Sequence, residues 1–365
     1  MTRIEIDKER KRIRGSRSPI VFRIILIISE SLFVFAFYIC LSANRNFSNS
    51  NSYKSDLQGK RYASFYKRGE GMGLFWGLIG VFIFSLTLPA TKFTVGYLDP
   101  IFVGLGRAVV AGTLALLTLY VTGSPILPTR LLPRLLVVSL GVVVGFPVFS
   151  AYAMQSVPSS HGGVITGILP LATAAAGVWI AKESQTILFW ISGAFGSTLV
   201  VLYSIWNGEI DLKTGDIFLL LAVLSASIGY AEGGRLSKEH GGWKVISWSL
   251  VISLPISVLA SAFTFPTDWL RTPASAWMGF LYTAVFSMFL GFFAWYKGLA
   301  MSGIGKVGQI QLIQPFLTFL FSSFLLSERI DSLTLLAGFL VSTTIFIGRI
   351  RLRPSGKTKN QKEIE

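Results

Sequence analysis

Arg107 lies inside an otherwise apolar run from residue 98 to 120. A guanidinium at that depth is costly unless it faces protein, water or an anion. Its planar fork of donors suits a carboxylate, and the same fork can satisfy the backbone carbonyls of a neighbouring helix; residue type alone leaves both readings open. Gln309, Gln311 and Gln314 precede Pro315 in another apolar run, and i, i+3 spacing puts Gln311 and Gln314 on one helical face. Amides there hold zwitterionic groups without the desolvation cost of a fixed charge, or they join one helix to another. Tyr152, Trp295 and Tyr296 fall near helix ends, where interfacial aromatic belts place such rings. Tyr152 and Tyr296 would also stack on a flat solute.

Carboxylates supply the remaining chemistry. Glu183 and Glu328 each follow an apolar run and are expected to cap or ion-pair with the start of the following helix, where negative charge is favoured; proton coupling is the alternative. Glu232 and Arg235 form an i, i+3 pair near the end of a span, a gate or a surface pair. Pro170 and Pro315 sit mid-run, where each removes a backbone donor and frees a carbonyl one turn earlier. The resulting kinks can turn polar backbone toward a central pathway or serve packing alone.

Other chemistries find little footing. One cysteine, Cys40, rules out an internal disulfide framework. The two histidines, His161 and His240, fall at ends of different spans and suggest no metal ligand set. The sequence has no Walker loop, H-E-x-x-H or G-x-S-x-G motif. No enzymatic centre and no cofactor are expected.

These residues must be positioned by membrane-spanning helices. Hydrophobic residues make up 52% of the chain and charged residues 14%, at a mean hydropathy of +0.61, far from ordinary globular usage. Runs of about 20 apolar residues read as spanning helices rather than alternating barrel strands. Their expected ranges are 73–91, 98–120, 132–154, 158–181, 187–206, 215–235, 243–265, 275–298, 305–326 and 332–350. The fold class is thus an all-α integral membrane bundle of ten transmembrane helices.

A fixed offset of 145 residues carries Gly163 onto Gly308, Pro170 onto Pro315, Glu183 onto Glu328 and Gly193 onto Gly338. That points to a duplicated five-helix unit, 72–207 and 208–353, with a basic tail at 354–365. An odd number of spans per unit makes the second copy enter from the opposite face, giving two inverted repeats. Lys and Arg set the orientation. Arg130, Arg134, Lys182, Arg235, Lys238, Lys244, Lys297 and Lys306 fall on one side; Lys92, Lys213, Arg271 and Arg329 fall on the other. Both core termini are therefore expected in the cytoplasm.

Residues 1–71 differ, with a basic run from Lys8 to Arg17, an apolar stretch from Ile20 to Ala43 that contains Glu30, and a polar Ser/Asn-rich piece. They read as an eleventh span, as a secretory signal, or as a segment upstream of a natural start at Met72. Their positive charge suits an anionic lipid surface, and no fold for nucleic-acid binding accompanies it.

The phrases Ala181-Lys182-Glu183 and Leu326-Ser327-Glu328-Arg329, each following a mid-run proline, together with Asp99-Pro100 ahead of Arg107, resemble the drug/metabolite transporter superfamily, specifically its EamA-like family. The resemblance covers Gly73 to Arg353. It implies a secondary carrier of small organic solutes in the inner membrane, often an exporter of amino-acid-like metabolites, with a substrate cavity between the halves. Its partners would be a small-molecule substrate and the lipid bilayer, with pairing of two chains left open. A non-transporting membrane anchor and a multidrug or nucleotide-sugar-type carrier are the competing readings.

Overall fold

The computed structural model describes residues 59–181, 187–207 and 214–348; these form helices and their connections, with no strand among them. Glu183, the basic N-terminal stretch through residue 58 and the basic tail lie outside the described residues.

Helix α1 begins as Gly59–Ser85 and, after a turn at Leu86, continues as Thr87–Val95; its apolar part is Gly71–Val95. There follow α2 (Phe102–Val121), α3 (Thr129–Ser156) and α4 (Ser159–Ile180), then α5 (Ile187–Asn207). The second half holds α6 (Thr214–His240), α7 (Gly242–Phe263) and α8 (Ala274–Ser302). Helix α9 is composite, Ile304–Ile310, a 3₁₀ turn Gln311–Ile313 and Gln314–Leu326, and α10 is Ser332–Gly348. Among the described residues, seven helices (α1–α4 and α6–α8) are long and apolar enough to cross a membrane. The apolar parts of α9 and α10, Gln311–Leu326 and Ser332–Thr344, are shorter. The 3₁₀ turn in α9 has a local cause: Pro315 has no N–H to give to Gln311 O, and the Gln314 N–H takes that carbonyl in a tighter turn.

Large apolar side chains such as Leu117, Leu140, Ile191, Phe195, Phe263 and Phe339 are exposed, whereas Arg107, Asp216, Glu232 and Gln311 are buried. This reverses the soluble pattern, as a bilayer solvent requires.

The packing repeats between halves. Helix α1 lies on α8 and α3 on α6, while α2 lies on α7, α4 on α9 and α5 on α10. Exchanging the two halves maps this set onto itself. Equivalent helices run antiparallel: Ser159 meets Ser322 and Gly167 meets Pro315 across α4 and α9, while Tyr203 meets Thr334 and Gly196 meets Thr344 across α5 and α10. Close backbone approach needs glycine: a Cβ on Gly298 would lie 2.8 Å from Gly77 N, and one on Gly141 would lie 3.0 Å from Gly229 Cα.

Helices α2, α3 and α8 contain π-helical stretches at Phe102–Gly106, Ser139–Gly145 and Tyr282–Gly291. The 145-residue offset carries Ser139 onto Ala284 and Gly145 onto Leu290, inside the third stretch. The two copies therefore share a widened turn, a feature that gathers at functional sites.

Candidate functional site: a central cavity around Arg107

The site is built from helix interruptions. Asp99 Oδ1 accepts the Ile101 N–H at 2.8 Å and opens α2 ahead of Pro100. After the π turn, Arg107 begins the regular part of the helix. Pro89 in α1 cannot donate to Ser85 O, and Thr318 Oγ1 of α9 donates to that carbonyl instead at 3.0 Å. Beside this break Thr87 Oγ1 and Ser287 Oγ, from α1 and α8, share a hydrogen bond of 2.8 Å.

Helix α4 is interrupted just as α9 is. Its regular parts are Ser159–Thr166 and Leu169–Ala181, with Pro170 in the first turn of the second; Pro315 holds that place in Gln314–Leu326. The interruptions meet, since a Cβ on Gly167 would lie 3.4 Å from Pro315 Cγ. Both prolines are buried.

Between the halves lies a narrow cavity lined by Thr87, Arg107, Thr166, Tyr230, Ser287 and Gln314 among apolar and aromatic neighbours that include Phe84, Phe146 and Phe292. About 20 Å³ is open to the centres of water-sized atoms, room for one or two waters and too little for a metabolite. Among the described lining residues one side chain carries full charge, and it is cationic. Arg107 is 2% exposed, and its Nε has no hydrogen-bond partner among the described residues. Gln314 Oε1 is likewise unpartnered, as are both amide atoms of Gln311, itself 2% exposed. Buried polar groups without partners carry a desolvation penalty that a polar ligand would offset.

The other expected residues divide. Tyr296 is fully buried and donates to Gly229 O at 3.1 Å, joining α8 to α6. Tyr152 stacks on Phe218 with centroids 5.2 Å apart. Neither ring borders this cavity. Glu232 accepts from Arg235 Nη2 at 3.0 Å, and Arg235 Nη1 donates to Ile180 O at 3.4 Å. Far from being a surface pair on one helix, it ties α6 to the end of α4.

Glu328 corrects the expectation that it serves the following helix. Its Oε1 accepts the Ser159 N–H at 2.9 Å and its Oε2 the Ser160 N–H at 3.0 Å, capping α4 in the other half. Pro158 holds the N-cap position of α4 and offers no side-chain acceptor, leaving those donors to a carboxylate from elsewhere. Asp331 performs the expected role, accepting the Thr334 N–H at 3.0 Å at the start of α10. Sequence reading also missed the His161–Asp216 contact, 2.7 Å between Nε2 and Oδ1. Its one signal was an acid, Asp216, at the edge of an apolar run.

A duplicated bundle of apolar helices closing on a polar centre is the build of a multi-pass membrane transporter. The model of the EamA-like transporter family matches twice, over residues 71–205 and 213–348; the chain belongs to that family. It is 44% identical over 256 residues to the uncharacterized transporter YdeK of Bacillus subtilis (strain 168), covering 70% of this chain and 88% of that protein. The uncharacterized transporter YyaM of the same organism is 26% identical over 300 residues, covering 79% and 97%. A solved crystal structure superposes with a TM-score of 0.57 at 14% identity, covering 76% of this chain and 97% of that one, a likeness of fold.

Proposed function

We propose that this transporter is a secondary carrier that exports small, amino-acid-like metabolites by alternating access. Ten crossings, α1 to α10, form two inverted five-helix repeats in the inner membrane, with both core termini cytoplasmic. The antiparallel packing of α2 on α7, α4 on α9 and α5 on α10 supports the inversion, because a twofold axis in the membrane plane turns each helix into an opposed partner. The one observation that carries the substrate reading is Arg107, a buried guanidinium with an unpartnered Nε in a cavity whose described lining has no acid. A substrate carboxylate is the group that would satisfy it, with Gln314 as a neutral contact for the rest of a zwitterion. The interrupted helices α4 and α9 are where the two halves would rock.

The test is efflux from membrane vesicles against a panel of amino acids and cationic drugs, with and without a pH gradient. The reading expects carboxylate-bearing solutes to move and Arg107→Ala to abolish their movement at unchanged protein level. A stoichiometric co-purifying partner with no solute movement would favour the anchor reading instead. Movement of cationic drugs alone would assign Arg107 to structure.

A further inference from the structure

At one end of the bundle the first turn of α4 meets three helices of the other half. His161 Nε2 lies 2.7 Å from Asp216 Oδ1 of α6, with side chains 8% and 1% exposed. The imidazole stacks on Tyr203 of α5, centroids 5.1 Å apart and planes at 29°, and Tyr203 shares a 2.8 Å hydrogen bond with Thr334 of α10. Ser159 and Ser160, just before the ring, hold Glu328 from beyond α9. An imidazole is thus built into the seam between halves that must part for this end to open, and it does not line the central cavity.

We infer that His161 with Asp216 is a proton-binding site that latches this end of the carrier shut, an inference that rests on the alternating-access reading above. Histidine is the side chain that ordinarily changes charge between about pH 5 and 8. With the proton bound, the contact joins opposite charges where water is excluded, a bond roughly twice as strong as its neutral counterpart. Without it, the ring can offer the carboxylate only the weaker hydrogen bond of a neutral donor. Parting α4 from α6 then lets water reach Asp216. Proton binding and closure favour one another by linkage: acid holds this end closed, and alkaline medium loosens it. Among the described residues the ionisable groups around this turn are Asp216 on α6, Tyr203 on α5, Glu328 after α9 and Asp331 before α10. Among the described residues the cations at this end are the exposed Arg271 and Arg329 and Lys92, which is buried on α1 a turn beyond the Leu88 that packs against Gly162.

The proposal is tested with a reporter thiol on the cavity wall, Thr166→Cys in a Cys40→Ser background, in right-side-out vesicles. A membrane-impermeant maleimide is added outside at about pH 5.5 and about pH 8, and each rate is divided by that of the denatured protein to remove the thiol's own pH response. The expected result is labelling about tenfold faster at the higher pH, as loss of a charge-assisted bond implies. In the His161→Gln background the ratio should fall within about twofold of unity; Asp216→Asn, read the same way, covers the case that the first variant does not fold. A pH-independent rate, or a pH response that persists in both variants, overturns the latch while leaving the carrier in place. No labelling at either pH, with the same result when inside-out vesicles are treated, removes the carrier reading and the latch with it.

Discussion

Arg107 and Glu328 illustrate two ways of accommodating charge inside an apolar bundle. Glu328 is satisfied by two backbone N–H groups and the Ser159 hydroxyl, so its removal leaves the first turn of α4 without acceptors. Glu328→Ala is expected to cost about 1–2 kcal/mol and to lower the midpoint of thermal unfolding in detergent by a few degrees, roughly 2–8 °C. An unchanged midpoint would mean that water serves those donors equally well. Arg107 is buried and its Nε has no partner among the described residues, and its substitution should act on transport rather than folding. Arg107→Lys keeps the charge but loses the bidentate fork, so substrate affinity is expected to fall about tenfold or more with protein yield unchanged. Competition by a non-transported carboxylate in the vesicle assay would measure it.

Among the elements, the interrupted helices α4 and α9 separate packing from mechanism. Pro315→Ala restores a donor to Gln311 O and favours a continuous helix. The protein is expected to be at least as stable in thermal unfolding, yet to export several-fold more slowly, because the joint between Gln311–Ile313 and Gln314–Leu326 would stiffen. Export at the original rate would relegate the kink to packing. The helices themselves were legible in the sequence because spanning runs need about 20 apolar residues and charges mark their ends; the expected 158–181 and 187–206 fall close to α4 and α5. Pro170 and Pro315 were legible as equivalents from their spacing, and Arg107 from its isolation. The partners of Glu328 and His161 were not legible, because they lie across the seam between halves, 169 and 55 residues away, and no periodicity within a helix encodes which end of another helix it meets. The π-helical turns were hidden too, since an extra residue in a turn leaves apolar composition unchanged. The stacking of Tyr152 on Phe218 was not legible either, because a ring near a helix end looks the same whether it faces a solute or another ring.

At the scale of the molecule, the duplicated packing predicts topology. If α1 to α10 all cross, cysteines introduced at Arg130 and Lys244 should be labelled from the cytoplasmic face and one at Arg271 from the other, each at native-like expression. Placement of Arg130 and Lys244 on opposite faces would mean a wrong number of crossings between them. The small cavity gives the more demanding expectation: if the proposed alternating access holds, the halves must move, because about 20 Å³ of open space does not hold a metabolite. The most direct measurement uses Ser287→Cys, on the cavity wall opposite α1, in a Cys40→Ser background, with impermeant thiol reagent applied separately to right-side-out and inside-out vesicles. A carrier with alternating access predicts labelling from each face in turn, with a transported substrate slowing both. Labelling from one face only, whatever solute is present, would contradict it.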